Sequence, residues 1–263
     1  MAAAAERVAI DASLAREVQA RLFPRRFPRM ETLSYAGVSL PAEPVGGDYY
    51  DFLDLGRGYL GMAVGDVSGK GVAAALLMAN LQAHVRGQCA LALEDAACLL
   101  RSVNWLFQES TPPGSYATLF FAEYCDADRR LRYVNCGHPP ALLCRRNGAV
   151  ERLGATATVL GLDGAWDCAI GEKQLVPGDT LVLYTDGVTE ATNRRGEEFG
   201  DLRLAELLRG ELETPAPELL EAVLEGVRQF AGQAFQDDVT LVGARCTQSG
   251  VLRNGGGPEQ MSI

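Results

Sequence analysis

Two strand-like blocks, residues 48–55 and 59–64, flank Gly56-Arg57-Gly58. This hairpin signal constrains the fold more than any other feature of the chain. In an antiparallel pair turning about Arg57, opposed residue numbers sum to about 114, which sets Asp48 across from Asp66. Like charges facing each other are unfavourable unless something neutralises them. A divalent cation would do so, and hard oxygen donors select Mg²⁺ or Mn²⁺.

Around the hairpin the hydrophobic period changes in blocks. A helix over 5–22 carries an apolar stripe of Ile10, Leu14 and Val18 and stops at Phe23-Pro24. Residues 34–66 read as strands. After Gly69-Lys70-Gly71 the period is helical, with Val72, Ala73, Leu76, Leu77, Leu81 and Val85 expected on one apolar face. A second helix is expected over 93–108. Strands return at 116–124, 131–135, 141–145 and 180–184, helices at 199–208 and 218–231, and a last strand at 238–244. Strands and helices are clustered rather than alternating, which predicts an α+β fold with antiparallel sheets in a layered sandwich. The expected division is a linker or regulatory helix over 1–30, one catalytic domain over 31–246 and a disordered tail over 247–263. Trp105 and Trp166 are expected to be packed.

Charge and composition exclude several functions. Lys and Arg number 24 against 34 Asp and Glu, a net charge of −10. Nucleic acid and anionic membrane are therefore poor partners. No apolar run approaches the roughly 20 residues needed to span a bilayer. No secretory signal is visible, and the seven cysteines form no CxxC pair. Both facts favour the cytoplasm over an oxidising compartment. With two histidines, His84 and His138, any metal must be held mainly by carboxylates.

Aspartates stand beside glycines or in pairs at four strand ends: Gly46-Gly47-Asp48, Gly65-Asp66-Val67, Thr185-Asp186-Gly187 and Gln236-Asp237-Asp238. A strand end puts a side chain at a sheet rim, and a neighbouring Gly allows close approach. Other phosphate chemistries fail on spacing. A P-loop through Gly69-Lys70 needs Gly at 64 and Ser or Thr at 71, where the chain has Val64 and Gly71. No cysteine has the Arg six residues on that a cysteine phosphatase loop requires. The second Asp of an aspartyl-nucleophile phosphotransferase would fall on Tyr184 or Val188.

Five segments in order carry a resemblance. They are Val45-Gly46-Gly47-Asp48-Tyr49-Tyr50-Asp51, Gly65-Asp66-Val67-Ser68-Gly69-Lys70-Gly71, Asn135-Cys136-Gly137-His138-Pro139-Pro140, Tyr184-Thr185-Asp186-Gly187-Val188-Thr189-Glu190 and Asp237-Asp238-Val239-Thr240-Leu241. Together, over about residues 18–245, the chain resembles the metal-dependent protein phosphatases of the PP2C or PPM type, closest to their bacterial SpoIIE/RsbU-like branch. The resemblance implies a four-layer α-β-β-α sandwich with two central antiparallel sheets, and two Mn²⁺ or Mg²⁺ ions at one rim. It implies that Asp66 bridges both ions, that Val67 offers its carbonyl, and that Asp48, Asp186 and Asp237 complete the ligands. Asp51 and Asp238 are then supporting residues. His138 reads either as part of a tight structural turn or as a group beside the substrate. Lys70 reads either as a solvated helix-start lysine or as a helper at the phosphate. The family's amino-terminal phosphate-gripping Arg has no counterpart that can be placed.

In that branch substrates are often phosphoserine or phosphothreonine on STAS-type anti-anti-sigma proteins, which implies such a protein as substrate in partner-switching signalling. About 30 residues precede the core, too few for a sensor domain, so a separate regulatory protein docking on the first helix or on the helices after Lys70 is expected unless the chain is a fragment. Two other readings compete: a catalytically weak scaffold that binds phosphoproteins, and a small-molecule phosphomonoesterase.

Overall fold

A computed structural model describes residues 2–91, 95–232 and 235–248. The expected tail, from residue 249 on, lies outside the described residues.

The chain runs α1 (Ala2–Ala20), β1 (Leu33–Leu40), β2 (Asp48–Asp54), β3 (Tyr59–Val67), α2 (Gly71–Ala90), α3 (Ala96–Ser110), β4 (Ala117–Cys125), β5 (Arg130–Cys136), β6 (Ala141–Cys144), β7 (Val150–Leu153), β8 (Gly171–Gln174), β9 (Thr180–Tyr184), α4 (Asp186–Thr189), α5 (Gly200–Gly210), α6 (Ala216–Ala231) and β10 (Val239–Cys246). The strands form two five-stranded sheets, ordered β1-β10-β9-β6-β7 and β2-β3-β4-β5-β8. Every strand pair within them is antiparallel.

Alternation along the strands explains the layering. On β3, Leu60, Met62 and Val64 meet Val242, Ala244, Leu181 and Leu183 from the other sheet. Its other face puts Ala63 and Val67 with Met78, Leu81 and Val85 of α2 and Leu100 and Val103 of α3. The far sheet repeats the scheme: Val182, Tyr184 and Leu241 pack on Leu219, Leu220, Val223 and Val227 of α6. Three apolar cores therefore separate four layers, the α-β-β-α sandwich expected from the sequence.

Some details depart from the sequence reading. The buried face of α2 runs through Ala74, Met78, Leu81, Val85 and Cys89, whereas Val72 and Leu76, expected on that face, are 63% and 68% exposed. The run Val72-Ala73-Ala74-Ala75-Leu76-Leu77-Met78-Ala79 is apolar all round, so its period cannot choose a face. Trp105 is exposed because Val103 and Phe107 take the inner side of α3, while Trp166 is buried. Helix α3 starts at Ala96, where the Asp95 side chain accepts the Ala97 N–H as a cap. The four-residue elements β7, β8 and α4 are too short to show a period. All seven cysteines are free.

Candidate active site

The hairpin delivers the pair it was expected to deliver: Asp48 is registered against Asp66, and Asp66 against Thr118 on β4. By alternation Asp48 shares the face of Tyr50 and Phe52, and Asp66 that of Met62 and Val64. Both carboxylates therefore stand at the end of the cleft between the sheets. The other sheet closes the cleft with Thr185 and Thr240, both fully buried. Thr185 Oγ1 donates to Asp48 Oδ2 at 2.7 Å and accepts the Thr240 N–H at 3.0 Å. This chain of bonds fixes the Asp48 carboxylate. The threonines stood inside the quoted motifs, but nothing in their spacing revealed this task.

Asp186 begins α4 directly after β9, and Asp237 precedes β10. Mutual repulsion joins these carboxylates. Burial first, and then Asp186, Asp237 and Asp238, push Asp66 up to about 7. Burial, followed by the Asp66 charge, raises Asp48 well above the carboxylate range. Asp186 is raised by burial and by Asp237. Lys70, just before α2, donates from Nζ to Asp237 Oδ2 at 2.6 Å. It is the one cation in an ion pair with these aspartates among the described residues.

The supporting residues take different places. Asp238 Oδ1 accepts the Ala42 N–H and Oδ2 accepts the Gly47 N–H. It thus ties the β1–β2 loop to β10. Asp51 lies on the opposite face of β2, fully buried, and accepts both Nε and Nη2 of Arg86 from α2. The structure does not bring Asp51 to the rim. His138 is buried behind Asp66: its Nδ1 bonds Thr118 Oγ1 at 2.8 Å, and its backbone N–H donates to Asn135 Oδ1. Desolvation pushes this imidazole down to about 3, so it is neutral at physiological pH.

The residues suit a hard divalent cation in donor chemistry and in space. A Cβ on Gly47 would lie 2.9 Å from the Val67 carbonyl oxygen and 3.3 Å from Asp66 Oδ1. Only glycine leaves that oxygen-lined cradle open. Among the described residues no three Asp, Glu, His or Cys side chains already converge as a metal cage.

The family model for stage II sporulation protein E (SpoIIE) matches residues 56–247. The protein IcfG of Synechocystis sp. is 28% identical over 255 residues, covering 86% of this chain and 40% of IcfG. The chain thus spans less than half of that relative. The phosphoserine phosphatase RsbU of Bacillus subtilis is 27% identical over 231 residues, covering 87% of this chain and 68% of RsbU. The SiaA-PP2C domain of Pseudomonas aeruginosa superposes with a TM-score of 0.81 at 23% identity, over 93% of this chain and 99% of that one. The motif order, the paired aspartates at the mouth of a two-sheet cleft and the family match over most of the chain lead to one assignment: this protein belongs to the SpoIIE family of PP2C-type phosphatase domains.

Proposed function

We propose that the chain is a metal-dependent phosphatase that hydrolyses phosphoserine or phosphothreonine on a protein. The observation that carries the proposal is the Asp48–Asp66 register at a rim shared with Asp186 and Asp237. Asp66, the Val67 carbonyl, Asp48, Asp186 and Asp237 would hold two Mn²⁺ or Mg²⁺ ions. Such ions, when bound, acidify a coordinated water and neutralise phosphate charge. The chain's own residues do the rest. Thr185 orients Asp48, Asp238 fastens the loop that leads into β2, and Gly47 keeps the Val67 carbonyl accessible. His138, neutral and buried, props Thr118 beside Asp66.

The relative named phosphoserine phosphatase supports the substrate class, and the SpoIIE/RsbU-like character supports a STAS-type anti-anti-sigma protein as the physiological substrate. A regulatory protein on α1 completes this reading, since Ile10, Leu14 and Val18 are 55%, 55% and 62% exposed. No described helix is long and apolar enough to cross a membrane.

The test is Mn²⁺-dependent phosphate release from a phosphoserine STAS protein, compared with a panel of phosphorylated metabolites. Asp66→Ala is expected to lose nearly all turnover while its circular dichroism and melting remain those of a folded chain. Unchanged rates in that variant would refute the assignment. Faster turnover of a metabolite would replace the protein substrate with a small molecule.

A further inference from the structure

Next to the acidic rim lies a concentration of arginine. After α4 the chain makes a tight hairpin: Phe199 N–H donates to the Ala191 carbonyl, Thr192 bridges Glu198, and Asn193 N–H donates to the Glu197 carbonyl. Asn193 pins the tip. Its Oδ1 accepts the N–H groups of Arg195 and Glu197, and its Nδ2 donates to Glu197. The tip is Arg194-Arg195-Gly196, with Gly196 at φ +77° and both arginines exposed. Asn193, Arg194 and Arg195 line an open cavity of about 280 Å³ with Gln229, Phe230 and Gly232 at the end of α6.

Two further guanidiniums stand on neighbouring elements, Arg203 on α5 and Arg228 on α6. Arg203 sits 4.7 Å from the centre of the Phe230 ring and donates to the Glu198 and Phe199 carbonyls. Arg228 lies 5.8 Å from the centre of Phe235. None of these four arginines has a carboxylate in an ion pair among the described residues. Elsewhere in the fold Arg86 is paired with Asp51 and Arg145 with Asp179.

The ledge shares a wall with the candidate site. Thr192 Oγ1 donates to Gln236 Oε1 at 3.2 Å, and Gln236 precedes Asp237. Glu190, between α4 and the hairpin, feels the charges of both Asp186 and Asp237. A phosphorylated segment approaching a chain of net charge −10 meets repulsion over most of the surface. Glu197 and Glu198 stand in the arm of the same hairpin, but the Arg194 and Arg195 guanidiniums at its exposed tip have no ion pair among the described residues, and their planar forks match carboxylate and phosphate oxygens.

We infer that the Arg194-Arg195 hairpin, with Arg203 beside Phe230, is a docking ledge for an acidic segment flanking the phosphoserine of a protein substrate. The inference rests on the phosphatase reading for what the rim does, but the ledge is testable without turnover. The full chain is titrated in chelator buffer with two fluorescent phosphoserine peptides, one flanked by three glutamates on each side and one flanked by serines. The acidic peptide is expected to bind at least about tenfold tighter, with the difference closing between about 50 and 500 mM salt. Arg194→Glu with Arg195→Glu should abolish the difference, and Arg194→Gln with Arg195→Gln should reduce it. Mn²⁺-dependent hydrolysis of p-nitrophenyl phosphate should be unchanged in both. Equal binding of the two peptides, or a difference that survives charge reversal, would overturn the ledge. Capture of the chain by phosphatidylserine vesicles through the same arginines, with the peptides bound alike, would do so too and assign the surface to a membrane. Absence of p-nitrophenyl phosphate hydrolysis by the unaltered chain would count against the phosphatase reading alone, since the peptide titrations still decide the ledge.

Discussion

At the residue scale the site is a store of electrostatic repulsion. Asp66 sits at about 7 in the folded chain against an ordinary value of 3.8. Between about pH 4 and 7 the folded state therefore holds a proton that the unfolded chain has released, and stability falls as pH rises through that window. The slope from Asp66 alone is up to about 1.4 kcal/mol per pH unit. Asp48, also raised, acts in the same direction. His138, lowered from 6.5 to about 3, acts in the opposite one, because below pH 6.5 the unfolded chain gains a proton that the folded chain refuses. Two raised carboxylates against one depressed imidazole leave a net loss of stability from pH 5 to pH 7 without metal. Urea melts in chelator should show it, and Asp66→Asn should flatten the profile. Parallel profiles for the two proteins would contradict this account. The Asp48–Asp66 pairing was legible from residue numbers because an antiparallel register is arithmetic. Their shared support by Thr185 and Thr118 was not, because it joins residues 137 and 52 positions apart in sequence.

At the element scale, short loops hold the strand ends in place. A Cβ on Gly46 would lie 1.9 Å from Asp238 Oδ2, and one on Gly187 would lie 2.0 Å from the Asp238 carbonyl oxygen. Gly46→Ala must push the β1–β2 loop off Asp238 and carry Asp48 with it. We expect a loss of about 1–3 kcal/mol, seen in urea melts, together with weaker Mn²⁺ binding by calorimetry. Unaltered metal affinity would show that the loop does not position Asp48. The Asp51–Arg86 bridge joins β2 to α2 on the reverse face. Arg86→Met leaves the fully buried Asp51 carboxylate without a countercharge, with an expected loss of about 3–5 kcal/mol. Adding Asp51→Asn should recover much of that loss, and a simple sum of the two single effects would argue against a coupled pair. Helices α3 and α6 were readable because each carries one clear apolar stripe. The turn of α2 toward the sheet was not, since its first two turns offer apolar residues on every side.

At the scale of the whole molecule, α1 reaches the site although none of its described side chains belongs to the three apolar cores. The buried Gln19 side chain donates to the Gly46 carbonyl and accepts the Gly46 N–H, at 2.7 and 3.0 Å. Both backbone groups of a residue two places before Asp48 thus depend on a helix outside the sandwich. Gln19→Ala is expected to raise the Mn²⁺ concentration for half-maximal turnover several-fold, with about 1–3 kcal/mol lost from the unsatisfied Gly46 groups. An unshifted metal titration would separate α1 from the candidate site. The sequence by itself determined the hairpin register, the clustering of strands and helices and the five ordered motifs, because hydrophobic period, turn chemistry and strand pairing are local rules. Tertiary structure alone decided which threonines hold the aspartates, that Asp51 turns to Arg86 rather than to the rim, and that Lys70 grips Asp237. Those are contacts between elements apart in the chain, and only the packing of sheet on sheet and of helix on sheet brings such side chains within reach.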